Sequence, residues 1–256
     1  MITKLPVALA AASMLCSGVA AAESLLSPPR AVGVSLDASI LMGVGISIGV
    51  PVGDRFNLRG VYHGFSYDDE FEDEDDSGAG NGTTYDAELD LSSFGVMADW
   101  HPFRGAFRVT AGLVSNGNEI GLNAQNSNGV IEIGDCNYRS DGNDPLMLQG
   151  AIDWKRTAPY LGIGWGGNMN GDKGLYGLFD IGVMFSGAPK ASLAASGTAV
   201  VEAGQDLSCG APGMTVNAAS DPNVQREVQT AVDDANDEAE DFKLWPNIAF
   251  GIGWRF

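Results

Sequence analysis

Positive charge is scarce in this chain: 14 Lys and Arg stand against 33 Asp and Glu, a formal net charge of −19. Phosphate backbones demand a basic face, so nucleic acid is excluded as a partner. Histidine is scarcer, with only His63 and His101, which leaves few candidates for a catalytic base. Beyond the N-terminus no run of about 18 apolar residues exists, so no helix is long enough to span a bilayer. Cysteine is limited to Cys16, Cys136 and Cys209. Glycine, by contrast, is abundant at 35 in 256 residues. Many of these glycines sit inside alternating segments, which suits tight curvature and small inward-facing positions.

The N-terminus reads as a secretory signal peptide over residues 1–22. Lys4 supplies the positive start, Leu5 to Leu15 the apolar core, and Ala20-Ala21-Ala22 an A-x-A-type cleavage site before Glu23. Lys4 is the only charge in this segment, so a chain from Glu23 carries 13 basic and 33 acidic residues, net −20. Cys16 follows Met14 and Leu15 with no small residue directly before it, which argues against lipoprotein processing. The exported chain then holds one cysteine pair. Cys136 and Cys209 are a disulfide candidate, the alternative being two unpaired loop thiols.

From Val32 the dominant pattern has a period of two. Even positions from Val32 to Val52 are apolar, including Leu36, Ile40, Ile46 and Ile48. Odd positions from Gly33 to Gly49 are Gly, Ser or Asp, except Leu41. Alternation is the mark of a β-strand with one apolar face. Some twenty residues of unbroken parity is about twice a membrane-crossing strand. It means one long strand, or two joined by an odd-length turn near 37–41. Similar alternation recurs at 55–67, 85–100, 107–113, 146–154, 161–166, 179–186 and 247–256, with a further candidate strand at 193–201. In the segment 85–100 the parity slips at Ser92-Ser93, which predicts a β-bulge.

Between these strands, short turns (51–54, 101–105, 155–158, 188–190) alternate with long polar loops (68–84, 116–144, 202–243). A helix is expected within Pro222 to Phe242, on the surface because it is strongly acidic. Short turns on one side and long loops on the other mark an outer-membrane barrel. Only a closed barrel satisfies strand backbones in lipid. Aromatic residues cluster near strand ends as interfacial girdles require: Trp100, Phe103 and Phe107, then Trp154 and Tyr160, then Trp254 and Phe256. The expected fold is all-β: residues 23–256 as one transmembrane antiparallel up-and-down β-barrel with a short helix in a late loop. Ten strands place every short turn on the periplasmic side; eight is the alternative.

The segments ADWHPF (98–103), PYLGIGWG (159–166), FDIGVMFSGAPKASLAA (179–195) and the terminal WRF resemble small Gram-negative outer-membrane barrels. They are similar to the ornithine-uptake porin group and, more loosely, to OmpW- and OmpA-like barrels. A terminal strand ending in Phe256 also resembles the signal read by the barrel assembly machinery. The resemblance implies residence in the bacterial outer membrane among lipid and lipopolysaccharide, and uptake of small basic solutes. It carries over no functional residues.

Strand parity places Arg59, His63, Asp99, Arg108, Asp153, Asp180 and Arg255 inward. They read either as a salt-bridge network filling a narrow barrel or as the lining of a porin-like channel for small cationic solutes. The acidic runs at 68–76 and 233–241 read as solvated surface, as a cation-attracting mouth, or as bridges through divalent ions to lipopolysaccharide. The run DEDDSG lacks the ligand spacing of an EF-hand, and no metal or cofactor site is assigned. A Ser-His-Asp set could be drawn around Ser66 and His63, but any acidic loop permits that drawing. The chain therefore reads as a non-enzymatic barrel.

Overall fold

The computed structural model describes residues 31–73, 83–126 and 129–256. The signal peptide, Cys16 and the centre of the first acidic loop lie outside the described residues. In chain order the elements are β1 (Gly33–Ser39), β2 (Gly43–Pro51), β3 (Phe56–Asp73), β4 (Thr83–Trp100), β5 (Phe107–Asn116), β6 (Glu119–Asn126), β7 (Val130–Ile133) and β8 (Cys136–Ser140). They continue as β9 (Leu146–Asp153), β10 (Thr157–Gly166), β11 (Gly174–Met184), β12 (Lys190–Ser196), β13 (Thr198–Val201), β14 (Thr215–Asn217), α1 (Pro222–Ala239) and β15 (Trp245–Arg255).

Eight strands close on themselves, in the order β1-β2-β3-β4-β5-β10-β11-β15 and back to β1. Every pairing in the ring is antiparallel. The N-terminal alternation is two strands, joined at residues 40–42 by three residues that preserve parity. The ring has eight strands rather than ten, because β9 and β12 are not in it. β5 pairs directly with β10 and β11 with β15. β9 pairs with β6 on one side and with β12 on the other, extending the sheet past one rim of the barrel. The turns at 155–158 and 188–190 therefore lie on the long-loop side. The other rim carries the connections 52–55, 101–106 and 167–173, together with the start of β1 and the end of β15.

The outward face of the ring is apolar and uncovered. Leu36, Ile46, Ile48, Val96, Leu113, Leu161, Ile163, Ile181 and Ile252 are all exposed. An apolar surface this continuous exceeds what a water-soluble monomer sustains; it is the band a transmembrane barrel presents to hydrocarbon. Aromatic rings run across it as a chain of contacts. Phe103–Phe107, Phe107–Trp165, Trp165–Phe179 and Phe179–Phe250 lie 6.1, 5.5, 5.8 and 4.7 Å apart between centroids. Tyr160, expected in a girdle, instead faces the barrel interior at 6 % exposure. It occupies an even position of β10, whose odd positions Leu161, Ile163 and Trp165 face lipid. No helix among the described residues is long and apolar enough to cross a membrane.

The parity slip at Ser92-Ser93 is not a bulge. β3 and β4 stay in unbroken register from Phe56↔Trp100 to Asp73↔Thr83. What changes is the surroundings. Towards the short-turn rim, Phe94 and Val96 point outward and Ser93 and Asp99 are buried inside. Beyond Ser92, Leu91 is buried on the inner face while Asp86, Glu88 and Asp90 are exposed on the outer one. The hairpin has left the bilayer, so its outer face meets water and its apolar face turns in. The same inversion makes strand of much of the expected acidic loop: residues 68–73 and 83–84 belong to β3 and β4.

The expected loop at 116–144 is also largely folded. β7 and β8 join β13 and β14 in a second, four-stranded sheet. Its core gathers Ile131, Ile133, Tyr138, Leu146, Ala195, Ala199 and Val201 with Val224 and Val228 of α1. Asp221 caps α1, its side chain accepting from the Asn223 and Val224 amides, and Pro222 sits where a helix tolerates proline. Each aliphatic side chain so buried contributes roughly 1.5–3 kcal/mol. The disulfide Cys136–Cys209 crosses this core, with Cα atoms 5.6 Å apart. Burial pushes the Tyr138 hydroxyl above the ordinary phenol range, with the Glu227 and Asp221 carboxylates adding to the shift.

Inside the ring, large side chains fit because glycines stand opposite them. A Cβ at Gly182 would meet the Tyr160 ring and the Leu161 carbonyl. Gly182→Val should therefore destabilise the barrel by about 1–3 kcal/mol, the cost of overpacking. The urea midpoint, read as the shift between folded and unfolded bands on unboiled gels, measures it. An unchanged midpoint would contradict the inward placement of Tyr160.

Candidate functional site: the barrel interior

An eight-stranded ring is just wide enough for side chains to fill. Inward positions of β3, β4, β5 and β11 place four charged groups at one level. The Arg59 guanidinium donates to both Asp99 oxygens, at 2.9 and 3.1 Å. Arg108 Nη2 donates to both Asp180 oxygens, at 2.8 and 2.6 Å. The pairs are cross-linked, Arg59 to Asp180 at 3.6 Å and Arg108 to Asp99 at 3.7 Å. Thr110 donates to Asp99 at 2.7 Å, and Arg108 also donates to the Gly166 carbonyl. Such short, paired, charge-assisted contacts are the strong kind. Two cations and two anions cancel, so the layer carries no net charge. Arg108 and Asp99 are each 1 % exposed.

Towards the loop side, His63 Nε2 lies 2.6 Å from Asp37 Oδ2. Ser39 donates to Asn247, and Asn247 to the Tyr160 hydroxyl at 3.3 Å. An apolar layer of Met42, Val61, Met97, Val114, Ala158 and Met184 packs beside Tyr160, with Trp245 against it. Trp245 meets Trp154 edge-on at 4.8 Å and donates to the Leu41 carbonyl at 3.1 Å. At the short-turn rim, Met169, Tyr176 and Leu178 form a second apolar cluster. Asn57 reaches His101 at 3.0 Å and the Gly167 carbonyl at 2.9 Å. The cavity left between Arg59, His63 and the loop-side apolar layer is about 20 Å³, room for about one water molecule.

Of the seven charged residues expected inside, Arg59, His63, Asp99, Arg108, Asp180 and Arg255 are buried there. Asp153 is not: it ends β9, exposed, on the sheet extension beyond the rim. Its alternation is real, but β9 lies outside the ring. Among the described residues Arg255 pairs with no lumenal carboxylate. It donates to the Asp172 carbonyl in the 167–173 connection and stacks over the Tyr176 ring at 5.3 Å. Asp37, Thr110, Asn57, His101 and Tyr160 complete the network. Asp37 and Thr110 already stood on the polar side of their strands, and only the pairing across the lumen singles them out. Ser66 is exposed, and it lies three residues from His63 on the opposite face of β3, so the two form no catalytic pair. Among the described residues no three His, Cys, Asp or Glu side chains gather as a metal site.

No family model and no curated protein matches this chain. Solved structures similar in shape include two from one organism. CarO2 of Acinetobacter baumannii has a TM-score of 0.49 at 19% identity, over 90% of this chain and 100% of that one. CarO of Acinetobacter baumannii has a TM-score of 0.45 at 19% identity, over 89% and 98%. The strand pairing itself makes this chain a small β-barrel of the outer-membrane type.

Removing one member of a buried ion network strands the others without compensation, at about 3–5 kcal/mol. Arg108→Ala should lower barrel stability by that amount, read from the same gel-shift midpoint. A loss below about 1 kcal/mol would mean that the layer is hydrated rather than buried. Beyond the rim, Cys136→Ala with Cys209→Ala should weaken the loop-side fold by about 2–5 kcal/mol. Limited proteolysis would then cut within 130–240 while the ring stays intact; equal resistance with and without the bond would show that the disulfide contributes nothing there.

Proposed function

We propose that this protein is a closed outer-membrane barrel that anchors a folded, disulfide-tied domain at the cell surface. The carrying observation is the neutral, mutually paired layer of Arg59, Asp99, Arg108 and Asp180, beside a cavity of about 20 Å³. Cation selectivity in a pore draws on carboxylates free to meet the solute. Asp99 and Asp180 are engaged by guanidinium groups, and Asp153 is away from the lumen. That favours the salt-bridge-plugged barrel over the narrow porin. In this reading the apolar band contacts outer-membrane lipid and lipopolysaccharide, and the strand ending in Phe256 serves as the signal for the assembly machinery.

The second reading, a narrow porin for small cationic solutes, draws support from one feature. Met42, Met97 and Met184 build much of the loop-side apolar layer, and methionine repacks more readily than branched side chains. Such a layer can act as a hydrophobic gate.

Conductance in planar bilayers separates the two. The expected outcome is no step above background over physiological voltages, with no flux of ornithine or lysine into liposomes. Reproducible cation-selective steps would overturn the closed reading in favour of the gated channel.

A further inference from the structure

On the loop side, the extension of β4, β6, β9 and β12 faces the small sheet across a cavity of about 530 Å³. Small-molecule sites run from about 300 to 1,000 Å³. One wall presents Tyr85, Leu122, Leu148 and Leu193. Their register puts them on a single face: Tyr85 opposes Ala124, two residues along from Leu122, while Leu122 and Leu193 both oppose Gly150. That face runs on into the loop-side core, which Leu146 and Ala195 join and against which Leu148 and Leu193 partly pack. Here Leu122 remains 46 % exposed, so its apolar surface is uncovered. Glu132 and Asn137 of the small sheet also line it. Glu132 is exposed, and among the described residues no Lys or Arg is paired with it, whereas its neighbour Arg139 is engaged by Glu202 at 2.6 Å.

We propose that this cavity binds small amphipathic cations, each with a compact aryl or alkyl body and one amine. The leucine wall and Tyr85 take the body. Glu132 accepts from the ammonium group, with Asn137 beside it to orient the head. The volume admits a small molecule rather than a peptide. The chain's acidic balance raises the local concentration of cations and disfavours anions. The site lies beyond the rim, so it does not depend on whether the lumen conducts.

The test uses full-length mature protein in lipid nanodiscs, avoiding competition from detergent. Calorimetric titrations compare 4-phenylbutylamine, 4-phenylbutanol and 4-phenylbutyrate, with empty nanodiscs subtracted to remove partition into lipid. The amine should bind about tenfold more tightly than the alcohol, as a charge-assisted hydrogen bond allows, and the acid should bind weakest. Glu132→Gln should abolish the amine's advantage and leave the alcohol unchanged. Leu122→Trp, which fills the cavity, should weaken amine and alcohol alike by about tenfold. Both positions are exposed, and an intact disulfide with an unchanged circular dichroism spectrum verifies the fold. Equal binding of the three probes, no binding at millimolar concentration, an amine preference that survives Glu132→Gln, or affinity unaffected by Leu122→Trp would each overturn the proposal.

Discussion

The pairing of β1 with β15 closes the sheet. Seven residue pairs, from Gly33↔Arg255 to Ser39↔Ala249, join the first strand to the last. In hydrocarbon an open edge leaves backbone N–H and C=O groups without partners, at several kcal/mol each. Closure removes both edges at once. It also sets the circumference: eight strands leave an interior with room for side chains and little else. The composition of that interior follows from this size.

A narrow interior must be filled without strain and without unpaired charge. Glycines answer the first need at the positions facing the largest groups. Gly182 stands against Tyr160, Gly253 against Tyr176, and Gly164 beside Arg108 and Asp180. Mutual pairing answers the second. Two arginines and two aspartates at one level neutralise each other, and of their side-chain polar atoms only Arg108 Nε is buried without a hydrogen bond among the described residues. The residues of the wall themselves fill the lumen at this level and leave a cavity of about 20 Å³ beside them. A polar inner face in a barrel of this size is therefore weak evidence for a pore, because the same residues serve to fill it.

A single alternating pattern meets three different coverings in this molecule. In the ring, the apolar side of each strand faces lipid. In the upper part of the β3–β4 hairpin the apolar side turns inward, because the outer side has reached water. In β9 and β12 the apolar side packs against the small sheet and α1. The change at Ser92 thus marks the outer boundary of the membrane, and it explains why the hairpin continues as strand through acidic residues. The folded loop-side region is built on this inversion: the face that would meet lipid below becomes a core above, and the uncovered part of it lines the 530 Å³ cavity.

Period-two alternation was sufficient to identify the strands of the ring, their faces and a transmembrane barrel, because side-chain direction in a strand is a local property, whereas β6, β7, β8 and β14 fall in stretches that read as loops. It also placed Arg59, His63, Asp99, Arg108, Asp180 and Arg255 on the inner side, and an even cysteine pair pointed to the disulfide. Strand count was not legible. β9 and β12 alternate as convincingly as β10 and β11, and nothing local states which neighbour a strand will pair with. Misplacement of Asp153 follows from that alone. The bulge expected at Ser92-Ser93 has the same origin, since a switch in apolar parity records a change of solvent as readily as an added residue. Which charges meet, Arg108 with Asp180 across 72 residues or His63 with Asp37 across 26, was decided by closure of the ring. Partners inside a barrel come together through its curvature, a long-range property that no stretch of the chain carries by itself.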